Sequence, residues 1–436
     1  MIHPPNPSAD ELTAWGCTQA LAGAVCLPLL ALGPVLTRFS RRVRHGIPHL
    51  LGQLPIPSCG PLIWLHGVSQ GESMVAIGLG EHLKHRYPFC RLGFTTTHPE
   101  VLENARRKKH LDAVGFAPLD LLPFTMRAFR RWQPRLLIIT ETDFWPGLCA
   151  LARRRGIPLA LVNGRISEKL HRFHSRLLPL GRLIFRSFSL LAVQTETDRR
   201  RLIDMGAAPQ AIQVLGNLKA DLAPTSAPDA VRVIGSWKGT SPLVIFGSLH
   251  PVEFEALRPE FAKLLRNHDC RLLIAPRNTS LAREWQNSLS ISGIPCCLRS
   301  QLTSTFAENE RVHVIVLDTM GELGALYELG NLAFIGGSLS LTVGGHNPIE
   351  SIRYRVPTLV GPHTRNFADL IGDLTAADAI GIGHTATEIA GAIDRFLQHP
   401  EDAVKMAVRA SEVLATHQGA IARTLQALQP FLPHDH

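Results

Sequence analysis

The chain has 436 residues, of which 45% are hydrophobic and 19% charged, a composition that buries ordinary cores and excludes an intrinsically disordered protein. Its net charge of +9 is uneven: residues 1–222 hold 28 Lys/Arg against 15 Asp/Glu, and the remainder 17 against 21. A basic front half attracts polyanions, but an aromatic content of 6% gives too few stacking side chains for a nucleic-acid binder, leaving an anionic membrane surface or a phosphorylated substrate.

Residues 15–36 are an uncharged run of 22 residues, long enough to cross a bilayer, although Pro28, Gly33 and Pro34 weaken it as a straight helix. Asp10 and Glu11 precede the run, and Arg38, Arg41, Arg42 and Arg44 follow it. The positive-inside tendency therefore predicts an N-terminal anchor or in-plane membrane helix, with the bulk of the chain in the cytoplasm. A secretory signal peptide, the rival reading, carries its positive charge ahead of the apolar core. Cys17, Cys26, Cys59, Cys90, Cys149, Cys270, Cys296 and Cys297 form no C-x-x-C pair; they read as reduced packing residues, not as a disulfide framework or zinc site.

Beyond the anchor, apolar β-rich runs at 62–68, 91–97, 113–119, 136–140, 159–163, 190–195 and 212–218 alternate with helical patterns. Strands buried on both faces and separated by helix-length segments specify a parallel sheet in an α/β layer fold. The rhythm breaks near Pro224, Ser226, Pro228, Gly235 and Gly239, a linker composition. A second series follows at 243–247, 272–276, 312–317, 332–336 and 358–361. The expected organisation is an anchor and basic arm (1–45), a Rossmann-like domain (46–222), a linker (223–241) and a second Rossmann-like domain with C-terminal helices (242–436), the two domains facing a cleft. Ligands of such sheets bind beyond the carboxyl ends of the strands.

At the first of those ends, Ser69-Gln70-Gly71-Glu72-Ser73 opens a helix. Glu72 in its first turn has two readings: a favourable partner of the helix dipole, worth up to about 1 kcal/mol, or a general base. Neighbouring strands also end in polar residues, Thr95-Thr96-Thr97, Thr140-Glu141-Thr142-Asp143 and Asn163-Gly164-Arg165, which favours a site. His171 and His174 are spaced to face one metal, but no third ligand has suitable spacing, and a solvated basic face with Arg172 and Arg176 is the simpler account. In the second half, Pro276-Arg277-Asn278 offers a guanidinium to a phosphate. Met320-Gly321-Glu322 is expected to open a helix with free backbone donors. Gly344-Gly345-His346-Asn347-Pro348-Ile349-Glu350 is a glycine-rich loop entering a helix, with Glu350 placed to accept from ribose hydroxyls. No Walker loop or spaced G-x-G-x-x-G motif is present, which argues against a kinase, an ATPase or a standard dehydrogenase.

Trp64-Leu65-His66-Gly67-Val68-Ser69-Gln70-Gly71-Glu72, Glu141-Thr142-Asp143-Phe144-Trp145-Pro146, Gly216-Asn217-Leu218-Lys219-Ala220-Asp221, Asp318-Thr319-Met320-Gly321-Glu322-Leu323 and Gly344 to Glu350 resemble, in order, the signature segments of the 3-deoxy-D-manno-octulosonic acid (Kdo) transferases. The resemblance covers nearly the whole chain. It implies a GT-B fold, CMP-Kdo as donor and a lipid A precursor (lipid IVA) as acceptor, at the cytoplasmic face of a Gram-negative inner membrane. It also makes Glu72 the proton acceptor and places Glu141 and Lys219 where the family has transition-state stabilisers. Pro276 with Arg277, Met320 with Gly321 and Glu322, and Asn347, Pro348, Ile349 and Glu350 fall at CMP-binding positions, and the implied displacement demands no metal or other cofactor. The chain departs from the pattern at Gln70, at Thr97-His98 and at Asn278. A different GT-B nucleotide-sugar transferase or epimerase using UDP, and a membrane scaffold that has lost catalysis, are the alternatives; retention of Glu72, Lys219, Arg277 and Glu350 weighs against the scaffold.

Overall fold

The computed structural model describes residues 7–31, 41–57, 60–142, 144–224, 226–302 and 312–433. They form two compact units, residues 1–222 with 418–436, and residues 223–417. The first unit contains β1 (Leu62–His66), β2 (Arg91–Thr96), β3 (Ala113–Phe116), β4 (Leu136–Thr140), β5 (Leu159–Gly164), β6 (Leu190–Val193) and β7 (Ile212–Val214). They pair in parallel in the order β3-β2-β1-β4-β5-β6-β7. The apolar runs arise because the sheet is covered on both faces. From β1, Trp64 packs at an angle against Phe129 and edge-on against Trp132 on one side, while Ile63 and Leu65 join Val75 and Leu79 of the Gln70–Arg86 helix on the other.

The second unit repeats the design with β8 (Leu243–Leu249), β9 (Arg271–Pro276), β10 (Cys296–Leu298), β11 (Val314–Val316), β12 (Leu332–Ile335), β13 (Thr358–Val360) and β14 (Gly381–Ile382). Their parallel order is β10-β11-β9-β8-β12-β13-β14. In each sheet the strands that follow the first lie to one side of it until the chain crosses to the other, at β4 in the first unit and at β12 in the second. The reversal opens a crevice between β1 and β4 in the first unit, and between β8 and β12 in the second, the places where α/β sheets hold ligands.

The ends of the chain depart from the sequence expectation. Residues 418–436 belong to the first unit, not to the second. The Asp221 carboxylate accepts the backbone N–H of Gly419 and of Ile421, both at 2.7 Å, capping the Ala420–Leu428 helix. Ile421 and Leu428 then bury against Leu218 and Ala192, contributing about 1.5–3 kcal/mol each.

At the other end a helix runs from Ala9 to Ala31, and its first turns are docked on the first unit. Glu11 and Arg153 form an ion pair at 3.3 Å with both side chains under 5% exposed. Trp15 buries against Ala150 and Leu183, and Gln19 bonds the Asp120 carbonyl at 2.8 Å and the Leu122 N–H at 2.6 Å. The expected anchor at 15–36 thus begins within a docked helix, and its residues 32–36 lie outside the described ones. Among the described residues, no helix is long and apolar enough to cross a membrane. Cys59 also lies outside them; the other cysteines are free thiols, with Cys90, Cys149 and Cys270 buried.

Candidate active site

Glu72 sits at the crevice between β1 and β4, in the first turn of the Gln70–Arg86 helix, and is 6% exposed. Ser69 and Glu72 form a capping box: Glu72 Oε2 accepts the Ser69 N–H at 2.7 Å, and Ser69 Oγ accepts the Glu72 N–H at 3.3 Å. Thr142, just past β4, donates its hydroxyl to Glu72 Oε1 at 2.8 Å. The two sequence readings of Glu72 are therefore compatible, because the cap engages one carboxylate oxygen, Oε2, of a group with about four acceptor sites. Gly67 is required by close approach: a methyl group there would lie 2.9 Å from Thr140 Oγ1, 3.0 Å from Ser73 N and 3.1 Å from Glu72 C. Beneath the helix start, Ser73 Oγ donates to the Gly67 carbonyl at 2.9 Å, and Thr140 Oγ1 bridges the carbonyls of His66 and Glu72 at 3.1 Å each.

Glu141 and Lys219 come together at 2.6 Å, with the carboxylate 9% and the ammonium 21% exposed. Asn163, at the end of β5, donates to the same Glu141 oxygen at 3.1 Å and accepts the Leu218 N–H through its Oδ1 at 2.9 Å. Glu141 and Asn163 both hold left-handed backbone, φ 58° and 56°, a conformation that costs about 1–2 kcal/mol per residue and is offset here by the ion pair and the amide bonds. A methyl group at Gly71 would lie 3.8 Å from Lys219 Nζ, so the ammonium stands over the residue next to Glu72. Asp143 lies outside the described residues.

Behind this polar group, His66 is buried and 1% exposed. Trp64 Nε1 donates to Thr95 Oγ1 at 2.8 Å, and the same hydroxyl lies 2.9 Å from His66 Nδ1. Burial pushes the His66 imidazole down to about 4 against the pull of Glu72, so the ring is neutral and its edge faces Trp145. Asp120 is likewise buried; desolvation raises its carboxyl to about 6, against the N–H donors of Gly147 and Leu148 that it caps at 2.7 and 2.8 Å.

In the second unit the predicted residues gather at the carboxyl edge, and the local structure differs from expectation in one place. Pro276 ends β9 and Arg277 follows it, exposed. Met320 is 38% exposed and Gly321 has φ 82°. The helix they open runs only from Leu323 to Leu326. The Glu322 carboxylate is held there by Arg299 at 3.2 Å and Thr319 at 2.6 Å. Asn347 Oδ1 accepts the Ile349 N–H at 3.1 Å, and its Nδ2 lies 3.4 Å from Glu350 Oε1; Pro348 caps the short Ile349–Arg353 helix.

Glu253, which no motif singled out, and Arg365 and Asn366, in the family-like segment from Gly361 to Phe367, build the rest of this edge. Glu253, 1% exposed, accepts the N–H of Gly337 at 2.7 Å and of Leu339 at 2.9 Å, fixing the glycine loop after β12. Arg365 and Asn366 hold the far side of the loop through the carbonyls of Leu341, Thr342, Val343 and Gly345. The stretch His250-Pro251-Val252-Glu253, with Pro at the first helical position and Glu at the third, carried a readable helix-start signal after β8. His171 and His174 diverge: the first bonds Asp204 at 3.0 Å, and the second is buried against Phe185. Among the described residues, no three His, Cys, Asp or Glu side chains are grouped to hold a metal.

Two parallel seven-stranded units, each with charged groups at its switch point, define a chain of two Rossmann-like domains. The same fold is found in a putative UDP-N-acetylglucosamine 2-epimerase from Listeria monocytogenes, at TM-score 0.57 and 15% identity over 87% of this chain and 98% of that one. A glycosyltransferase from Rickettsia africae matches at TM-score 0.57 and 9% identity over 87% and 100%; both likenesses speak for the fold alone. The family model described as 3-deoxy-D-manno-octulosonic-acid transferase matches residues 38–222. The 3-deoxy-D-manno-octulosonic acid transferase of Haemophilus influenzae is 30% identical over 94% of this chain and 96% of its own. That of Bordetella pertussis is 31% identical over 87% and 89%. The chain belongs to the 3-deoxy-D-manno-octulosonic acid transferase family and is a glycosyltransferase.

Proposed function

We propose that this enzyme transfers Kdo from CMP-Kdo to a lipid A precursor, lipid IVA, in lipopolysaccharide biosynthesis, by a single inverting displacement. Glu72 takes the proton of the acceptor's sugar hydroxyl as that oxygen attacks the anomeric carbon, and CMP leaves from the opposite face. Lys219, oriented by Glu141, offsets the charge of the donor carboxylate or of the transition state. Pro276 and Arg277, Met320 to Glu322, and Asn347 to Glu350 seat CMP, with Arg277 neutralising the departing phosphate. On this reading the chemistry demands no metal, since proton transfer and fixed charges suffice.

The observation that carries the proposal is the arrangement around Glu72. A nearly buried carboxylate is held by Ser69 and Thr142 at a switch point, with the Lys219 ammonium over the adjacent Gly71. The basic front half and the apolar run at 15–36, most of it within the Ala9–Ala31 helix, support work at the cytoplasmic face of a bacterial inner membrane.

Nucleotide choice tests the donor. CMP at about 100 times its dissociation constant stabilises the folded protein by about 2.7 kcal/mol, a rise of a few degrees in Tm, and UDP leaves the Tm unchanged. Protection by UDP and not by CMP contradicts the donor assignment and favours an enzyme of uridine nucleotides.

A further inference from the structure

At the second unit's crevice, two histidines from different elements meet. His250 follows β8 and His346 ends the glycine loop after β12. Their Nε2 atoms are 2.8 Å apart, with ring centroids at 5.1 Å and planes 6° from parallel. Two imidazole nitrogens at that distance share one proton, because two lone pairs or two N–H groups repel.

The surroundings are built to hold the contact. Glu253 bonds the N–H of His250 at 3.0 Å and those of Gly337 and Leu339, tying both strand ends to one carboxylate. Gly337, at φ 70°, leaves room for the His346 ring, which a methyl group would meet at 2.7 Å. Both histidines are partly exposed, so the couple is open to a ligand.

The charged groups facing the couple are Arg277 from the end of β9 and Glu253 from the helix that His250 begins. Arg365, on the segment packed against the loop, is turned to the carbonyls of Leu341 and Thr342. Burial, aided by Arg277, depresses both imidazoles, His346 to about 3. The empty couple is therefore neutral at pH 7, holding its bridging proton and no net charge, beside a fixed guanidinium.

We propose that His250 and His346, with Arg277, form a phosphate seat that takes up a proton when the nucleotide's phosphate binds and gives it to the departing phosphate oxygen. This deepens the donor assignment above and rests on it for the identity of the nucleotide. A phosphate anion beside the couple favours the imidazolium form and draws a proton from solvent. During transfer the bond from the anomeric carbon to the phosphate oxygen breaks, and its electron pair goes to that oxygen, which takes the proton from the couple. The acceptor oxygen forms the new bond and its proton passes to Glu72. Both groups then re-equilibrate with solvent. Neither histidine is replaceable by the other, since each supplies one side of the bridge.

The test is calorimetric titration of the full chain with CMP at pH 7.5, in two buffers of different ionisation enthalpy. The expected result is net uptake of about 0.5–1 proton per CMP bound, none with cytidine, and uptake close to zero in His250→Gln and in His346→Gln. A second measurement needs no variant: CMP affinity of the wild type weakens as pH rises from 6.5 to 8.5. CMP binding without proton uptake, or uptake unchanged in both variants, overturns the phosphate seat and leaves the donor assignment intact. Binding of UDP with uptake, where CMP does not bind, supports the seat and overturns the cytidine assignment.

Discussion

At the carboxyl edge of the first unit, the polar groups are side chains pinned to one another: Glu72 to Ser69 and Thr142, Glu141 to Lys219 and Asn163. At the carboxyl edge of the second, the surface is mostly loop backbone held from behind by Glu253, Arg365 and Asn366, with Arg277 and the two histidines in front. The contrast separates two tasks. A base must stand within a fraction of an ångström of one proton, so its neighbours hold it rigidly. A nucleotide is a larger ligand recognised along its length, and glycine loops let backbone approach it.

The strongest way to break that comparison is Glu72→Gln. Glutamine keeps a carbonyl for the capping box but cannot take a proton, so transfer falls by about 10³-fold or more while CMP binding, read by calorimetry, is unchanged. Unimpaired turnover in this variant removes Glu72 as the base. Next in size is Lys219→Met, which leaves the buried Glu141 carboxylate with the Asn163 amide. Expected are a loss of about 10²-fold in kcat and about 2 kcal/mol of stability in a denaturant titration, again with CMP affinity kept. Gly337→Ala tests the second unit's edge: the added methyl group forces the His346 ring and the loop aside, and CMP binds about tenfold more weakly. A Gly337→Ala protein that binds CMP normally and loses turnover reverses the assignment of tasks.

An effect on stability alone, without one on turnover, concerns the support behind Glu72. Folding excludes a proton from His66 until about pH 4, whereas the unfolded chain takes it up near pH 6.5. The folded-state value is depressed for a base, so stability is complete above the unfolded value and is lost as pH falls from 6.5 towards 4, by up to about 3 kcal/mol. His66→Phe keeps a ring against Trp145 and flattens that slope, measured by thermal unfolding across the same range. An equally steep slope in the variant places the acid sensitivity elsewhere.

Much of the fold was legible because both sheets are buried on two faces, which writes their strands as apolar runs; each strand expected from such a run is present, with ends that agree to within about four residues. β10 and β14 were missed, being edge strands of three and two residues, Cys296–Leu298 and Gly381–Ile382, too short for any periodicity. The return of residues 418–436 to the first unit rests on Asp221 capping a helix nearly 200 positions later, a pairing that no local pattern encodes. At the site, Glu72 was readable from its helix start. The Glu141–Lys219 pair was readable only by resemblance, since the two residues are joined through Asn163 and the end of β5. The helix expected after Met320 is a single turn, Leu323–Leu326, that tightens into the 3-10 turn Tyr327–Leu329. His346 was read only as part of the glycine-rich loop and His250 drew no notice, since their pairing joins positions 96 residues apart.

The central claim is tested most directly by incubating the purified full-length enzyme with CMP-Kdo and a tetra-acylated lipid A precursor and analysing the products by mass spectrometry. The account predicts that CMP is released in step with a glycolipid heavier by whole Kdo units, and the number of units follows from the same spectrum. Release of CMP with the lipid unmodified, or no consumption of CMP-Kdo where a uridine-nucleotide sugar is consumed, contradicts it.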